Sequence, residues 1–278
     1  MLRSILVALD DTPGAQAARD TAIALARATG AALTVAVVLD RPHTGDEYEA
    51  VPLGGQAFKE RRDAKLAEQA ERDAEQALAD CAVAAGDLRY ATLRLEDAPE
   101  PALRQAGAAH DLVVIGRDST LGREQTEDGV APVIEALLRD GARPLLVVPP
   151  GAVLAAEGPV VAAYDGSAPA RESFQLFALL DPLPGVEVRV VTVDATRDSA
   201  LPLAEQGCAI LRARGLAATP LPWTGRDVTH AVLEALEGVK GRMLVMGAFG
   251  GSSLVRMLVG ATTDALLRDA PVPVFIDR

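Results

Sequence analysis

The sequence predicts an α/β protein of two tandem domains, each a five-stranded parallel-type sheet with helices on both faces. Length, an internal repeat and an alternation of short apolar runs with helically spaced segments predict it. The chain has 278 residues, and at roughly 100–200 residues per domain that length fits two. Residues 5–10 read ILVALD and residues 160–165 read VVAAYD, which sets Asp10 against Asp165 at an offset of 155. The same offset sets Gly30 against Gly185 and Val38 against Val193. Later, Ile115-Gly116 answers Met246-Gly247, while Arg139-Asp140 and Pro144 answer Arg268-Asp269 and Pro273 at an offset of 129. The 26-residue surplus of the first half falls between Asp40 and Cys81. Pro149-Pro150-Gly151 and Gly158-Pro159 punctuate a linker, so the domains are expected at 1–150 and 158–278.

Ile5 to Leu9 is a continuous apolar run, the pattern of a strand buried on both faces. Residues 14–28 follow at helical spacing, with Ala17, Ile23, Ala24 and Ala28 expected inward and Arg19, Asp20 and Arg27 outward. Asp11 is expected to cap this helix, with Thr12-Pro13 as its entry, and Gly30 to end it in the left-handed conformation. Leu33 to Leu39 is the second strand, 57–85 a long helix, and Tyr90 to Leu95 the third strand. A helix near 99–109, strand Leu112 to Ile115, helix 130–140 and strand Leu145 to Val148 complete the unit. The second half repeats the order with strands near 159–164, 187–193, 216–221, 242–246 and 273–276. Strands joined by helical crossovers require a parallel sheet. Ligands of such sheets bind beyond the carboxyl ends of the strands, where strand order reverses. That directs attention to the loops after Leu9, Leu39, Ile115, Tyr164, Val193 and Met246.

Composition narrows the function classes. The 27 Lys plus Arg against 39 Asp plus Glu give a net charge of −12, which argues against general binding to nucleic acid or an anionic membrane. Cys81 and Cys208 form neither a disulfide framework nor a metal quartet and read as small buried residues. No run approaches the roughly 20 apolar residues of a membrane span or a signal sequence, so a cytoplasmic protein is expected. His43, His110 and His230 have no partner at metal-ligand or Cys–His spacing. Trp223 is expected on a loop after the third strand of the second half, in a packing role. The charges of 57–85 read as a solvated helix face, and 41–60 as a glycine-bearing flap over a pocket.

From Gly247 to Leu267 the chain reads GAFGGSSLVRMLVGATTDALL. Its glycines let backbone N–H groups approach a phosphate, and a helix beginning near Thr262 would add a positive dipole end. Gly247, Gly250 and Gly260 have the spacing G-x2-G-x9-G, Tyr164-Asp165-Gly166-Ser167 follows the opening strand, and Pro271-Val272-Pro273-Val274 leads the last. In these features both halves resemble the universal stress protein family. The resemblance implies a Rossmann-like fold in each half and pairing of the two last strands, Leu145 to Val148 with Val272 to Ile276, as an internal pseudo-dimer. Two chains would pair again as a homodimer. It further implies an adenine nucleotide, ATP first and accompanied by Mg²⁺, in the second half. Ala163, Tyr164, Asp165 and Val193 would line the base and ribose. Met246, Gly247, Gly250, Gly251, Ser252, Ser253, Gly260, Ala261 and Thr262 would hold ribose and phosphates.

Two departures stand out. The family's closing Ser/Thr position is Ala261, with Thr262 expected to point elsewhere, and Phe249 would take up ligand space. In the first half Ser119 replaces the second glycine; Asp118, Glu124, Glu127 and Asp128 add negative charge that Arg117 and Arg123 offset in part. That half is expected to have lost its site. Asp10-Asp11 suits neither a phosphotransfer receiver, which needs a lysine after the fifth strand, nor a haloacid-dehalogenase-like phosphatase, whose aspartates are one residue apart. No general base, nucleophile dyad or metal cluster is visible. The leading expectation is therefore a nucleotide-binding sensor or regulator acting through a protein partner. A nucleotide-free interaction module comes second, and a slow ATPase relying on Asp165 third.

Overall fold

Ten short apolar segments pair into one sheet in the computed structural model, which describes residues 1–40, 55–123, 130–141, 143–248 and 261–278. The first half contributes β1 (Ser4–Leu9), β2 (Ala32–Val38), β3 (Tyr90–Leu95), β4 (Leu112–Gly116) and β5 (Leu145–Val148). The second contributes β6 (Val160–Ala163), β7 (Val188–Asp194), β8 (Ala218–Thr224), β9 (Met243–Gly247) and β10 (Val274–Asp277). Strand order is β3-β2-β1-β4-β5-β10-β9-β6-β7-β8, so both halves have the same internal order. Every pairing is parallel except that of β5 with β10, where Phe275 lies opposite Leu146. The two last strands thus join the halves into a ten-stranded sheet about a pseudo-two-fold axis.

The helices are α1 (Pro13–Thr29), α2 (Gln56–Ala85), α3 (Pro99–Gly107), α4 (Pro132–Asp140), α5 (Ala168–Leu180), α6 (Arg197–Arg212), α7 (Val228–Gly238) and α8 (Ala261–Asp269). They cover both faces, because β1, β4, β6 and β9 are apolar at nearly every position and would otherwise expose a greasy sheet. None of the described helices is long and apolar enough to cross a membrane.

Several expectations need correction. In α1, Ala24 and Ala28 are exposed; Ala15, Ala18, Ala22, Leu25 and Ala26 form the buried stripe. Alanines surround this helix, and their spacing alone does not choose a face. Thr12, not Asp11, caps α1 by accepting from Ala15 N, and Asp11 is exposed. Gly30 ends the helix at φ 74°, as the sequence suggests. Trp223 lies within β8, in register with Val193, and packs against the core. His110 bridges Ala106 O and Thr34 Oγ1 at 2.9 and 3.0 Å, a packing role. His43 and most of the expected flap, residues 41–54, lie outside the described residues.

Candidate functional site

Strand order turns at β6, which has β7 on one side and β9 on the other, and α5 and α6 pack with one core cluster while α7 and α8 pack with the other. At the carboxyl ends of these three strands lies a cavity of about 300 Å³. Small-molecule sites run from about 300 to 1,000 Å³. Ala163, Tyr164 and Asp165 enter it from the end of β6, Val191 to Val193 from β7, and Met246 and Gly247 from β9. Val228 and Val232 of α7 and Leu266 of α8 supply apolar walls. Ser167, Thr192, Thr262 and Thr263 supply hydroxyl-bearing positions.

The strand ends are fixed by local bonds. Tyr164 N donates to Val191 O at 2.9 Å, and Thr192 Oγ1 donates to Tyr164 O at 2.9 Å. Ser173 Oγ, fully buried on α5, donates to Met246 O at 2.8 Å. A Cβ on Gly247 would stand 2.5 Å from Ala170 N, so this glycine lets the start of α5 pack on the end of β9. Gly166 turns the chain at φ 78°, after which Ser167 caps α5.

Asp165 is the one carboxylate among the described lining residues, and no lysine or arginine is among them. Its Oδ1 accepts from Ser167 N at 2.9 Å, while Oδ2 has no partner among the described residues. The first turn of α8 opens at the cavity through Thr262 and Thr263. Among the described residues no three metal-ligating side chains cluster.

Of the positions singled out in the sequence, Ala163, Tyr164, Asp165, Val193, Met246, Gly247 and Thr262 meet at this cavity. Ala261 is exposed at the start of α8 and is not part of the wall. Thr262, expected to point elsewhere, is a lining residue, because α8 begins at Ala261 and brings its first turn to the mouth. Gly250, Gly251, Ser252, Ser253 and Gly260 lie outside the described residues, as does Phe249. Thr263, one of the hydroxyls the glycine loop offers in sequence, also lines the cavity, whereas sequence reasoning missed Thr192, Leu203 and the two α7 valines. The α7 pair at i and i+4 was the available signal.

At the equivalent place in the first half, among the described residues, the chain itself fills the space, while a separate recess of about 200 Å³ lies between α1 and α2, lined by Asp10, Asp11, Gln16, Arg19, Asp73 and Asp80. Leu121, 1% exposed at φ 51°, lies among the core residues, and its N–H donates to Asp10 Oδ2 at 2.9 Å. Asp10 Oδ1 accepts from Thr12 N and Thr12 Oγ1 at 3.0 and 2.7 Å. Burial raises the Asp10 carboxyl above its ordinary pKa, and these donors pull it down less strongly. Asp10 and Asp165 thus use one oxygen alike; the other holds Leu121 in the first half and is free of described partners in the second.

Arg123 closes the loop with ion pairs to Asp40 at 2.8 Å and Glu100 at 2.5 Å. It does not face an open pocket as a counter-charge. Asp118 is buried against the start of α1, where a Cβ on Gly14 would meet its Oδ1 at 1.9 Å. Glu124, Glu127 and Asp128 lie outside the described residues.

A family model described as "Universal stress protein family" matches residues 1–149 and 158–278. A universal stress protein of Synechocystis sp. is 26% identical over 170 residues, 60% of this chain. The match spans 58% of that relative's length. One of Mycobacterium tuberculosis is 39% identical over 51 residues, 18% of each chain. Among solved structures, a universal stress protein from Archaeoglobus fulgidus superposes with a TM-score of 0.68 at 18% identity, covering 99% of this chain and 96% of that one. A second, from Pseudomonas aeruginosa, gives 0.55 at 16%, covering 99% and 93%. At these identities the structural likeness speaks for the fold. With both halves matched by the family model and the ten strands arranged as two copies of one unit, the chain belongs to the universal stress protein family.

Proposed function

We propose that this is a cytoplasmic stress-response protein that binds an adenine nucleotide, ATP first, in its second half and acts as a sensor or regulator. The observation that carries the reading is the contrast between the halves. Among the described residues the cleft beyond β6, β7 and β9 holds a cavity, with an Asp165 oxygen lacking a described partner, whereas the counterpart position of the first half is taken by Leu121. Apolar walls of Val191, Val193, Val232 and Leu266 suit a planar base, and Asp165 accepts from an exocyclic amine. Phosphates would be held by backbone N–H groups of the glycine-bearing segment that ends at Gly260 and by the first turn of α8. Mg²⁺ would accompany them.

ATP should stabilise the protein against heat, by about 2.7 kcal/mol at a hundredfold excess over the dissociation constant. No thermal shift with millimolar ATP would sink this reading. A nucleotide-free interaction module would then take its place, supported by Ala261 standing where the family signature has a hydroxyl.

A further inference from the structure

Two arginines cross the junction between the halves, each ending on a helix of the opposite half. Arg278, at the end of the second half, donates to Arg139 O in the last turn of α4 at 2.5 Å. Arg117, just past β4 in the first half, donates from one guanidinium nitrogen to Arg268 O, to Ala270 O at 3.2 Å and to Leu267 O at 3.4 Å. These are carbonyls at the C-terminal end of α8, where no intrahelical donor remains and the dipole favours a cation. Arg139 and Arg268 are equivalent positions of the repeat, yet the arginines that reach them are not equivalent in sequence. The two caps are therefore separate devices, and the one on α8 belongs to the first half.

Arg117 is itself held at both backbone atoms. Its N–H donates to Val148 O at the end of β5 at 2.8 Å, and its carbonyl accepts from Ala131 N at the start of α4 at 2.7 Å. One residue on, Asp118 is buried against α1, and four residues on, Leu121 is fixed to Asp10. Residues 117–121 of the first half are thus a fixed mount for one side chain that grips α8. That helix has nine residues, about 13 Å of rigid rod. Its last turn meets Arg117, and its first turn carries Thr262 and Thr263 at the second-half cavity.

We propose that Arg117 is a positioning residue of the second-half cavity: mounted on the first-half loop, it holds α8 by its last turn and so sets the cavity mouth at its first. The place that Leu121 fills in the first half thereby acquires a role at the cavity of the second. The affinity part of this inference rests on the nucleotide reading above; the geometric part does not.

The test uses the full chain with Arg117→Ala, Arg117→Lys and, as control, Arg278→Ala, which removes the other cap. The ligand-free readout is the alkylation rate of a cysteine introduced by Thr263→Cys, a buried position on the first turn of α8; Cys81 and Cys208 are buried and give a low background. Arg117→Ala should raise that rate several-fold, Arg117→Lys should recover part of the loss, and Arg278→Ala should leave it unchanged. Without the reporter cysteine, Arg117→Ala should weaken ATP binding about three- to tenfold, the scale of a lost helix-end cation.

An unchanged alkylation rate overturns the proposal, since fraying confined to the last turn does not reach Thr263. Faster alkylation with unchanged ATP affinity overturns it too, because α8 would then move without governing the site. If the unsubstituted protein takes up no ATP, the nucleotide reading has failed, and the alkylation arm alone decides the role of Arg117.

Discussion

Replacing Leu121 tests whether the first-half cleft is filled as a core is filled. The side chain is 1% exposed and packs with the cluster that includes Ile115 and Leu138, so truncation to alanine removes buried methyl groups and leaves a cavity. Such changes cost about 3–5 kcal/mol where the site collapses little. Leu121 also sits at φ 51°, a conformation that costs a non-glycine residue about 1–2 kcal/mol. Alanine keeps that strain and glycine relieves it. Leu121→Gly should therefore be as stable as Leu121→Ala or about 1 kcal/mol better, reversing the usual order in which glycine is the worse residue by about 0.5–1 kcal/mol. Urea denaturation of both variants, followed by far-UV circular dichroism, measures the two differences. A loss below about 1 kcal/mol for Leu121→Ala would mean that the leucine is not a plug. A glycine variant clearly less stable than the alanine one would refute the backbone argument.

Three further outcomes are expected. Burial raises the folded-state pKa of Asp10 above 3.8, so its contribution to stability is full below that pH and lost as pH rises through the raised value. Asp10→Asn should flatten that part of the melting-temperature profile, and an unchanged profile in a difference plot against the parent would contradict it. The Cys208 thiol, pushed up to about 11 by burial, and the raised Cys81 thiol should resist alkylation at pH 8 in the folded protein and react once it is unfolded in urea; brisk labelling of native protein would be the opposite result. Gly247→Ala and Gly116→Ala each place a Cβ about 2.5 Å from a helix backbone, at Ala170 N and Ala15 N respectively. Each should destabilise by about 1–3 kcal/mol, and tolerance of either in thermal unfolding would show that the close approach is dispensable.

The central strands β1, β4, β6 and β9 were legible because each is a near-continuous apolar run, and a strand buried on both faces has no other pattern to show. The repeat predicts that both halves share one strand order, and the parallel sheet directs attention to six loops, of which those after Tyr164, Val193 and Met246 meet at the cavity. Features set by contacts distant in sequence were not legible. Leu121 reads as an ordinary loop leucine, and only its bond to Asp10, 111 residues earlier, and its left-handed backbone make it a plug. Arg117 and Arg123 read as offsets to the acids of their own loop, yet the fold sends one to α8 and the other to Asp40 and Glu100. The inward face of α1 was misplaced because alanine carries little sign of which side is buried. Thr12 displaced Asp11 as cap because the neighbouring Asp10 holds the threonine hydroxyl at 2.7 Å.

We propose that one chain binds one nucleotide, in its second half. Isothermal titration of the full chain with ATP and Mg²⁺ tests it most directly. One nucleotide per chain is the expected result, with the affinity lowered in Asp165→Ala and the stoichiometry unchanged in Asp10→Ala. Two nucleotides per chain would contradict the closure of the first half by Leu121, and none would contradict the site in the second.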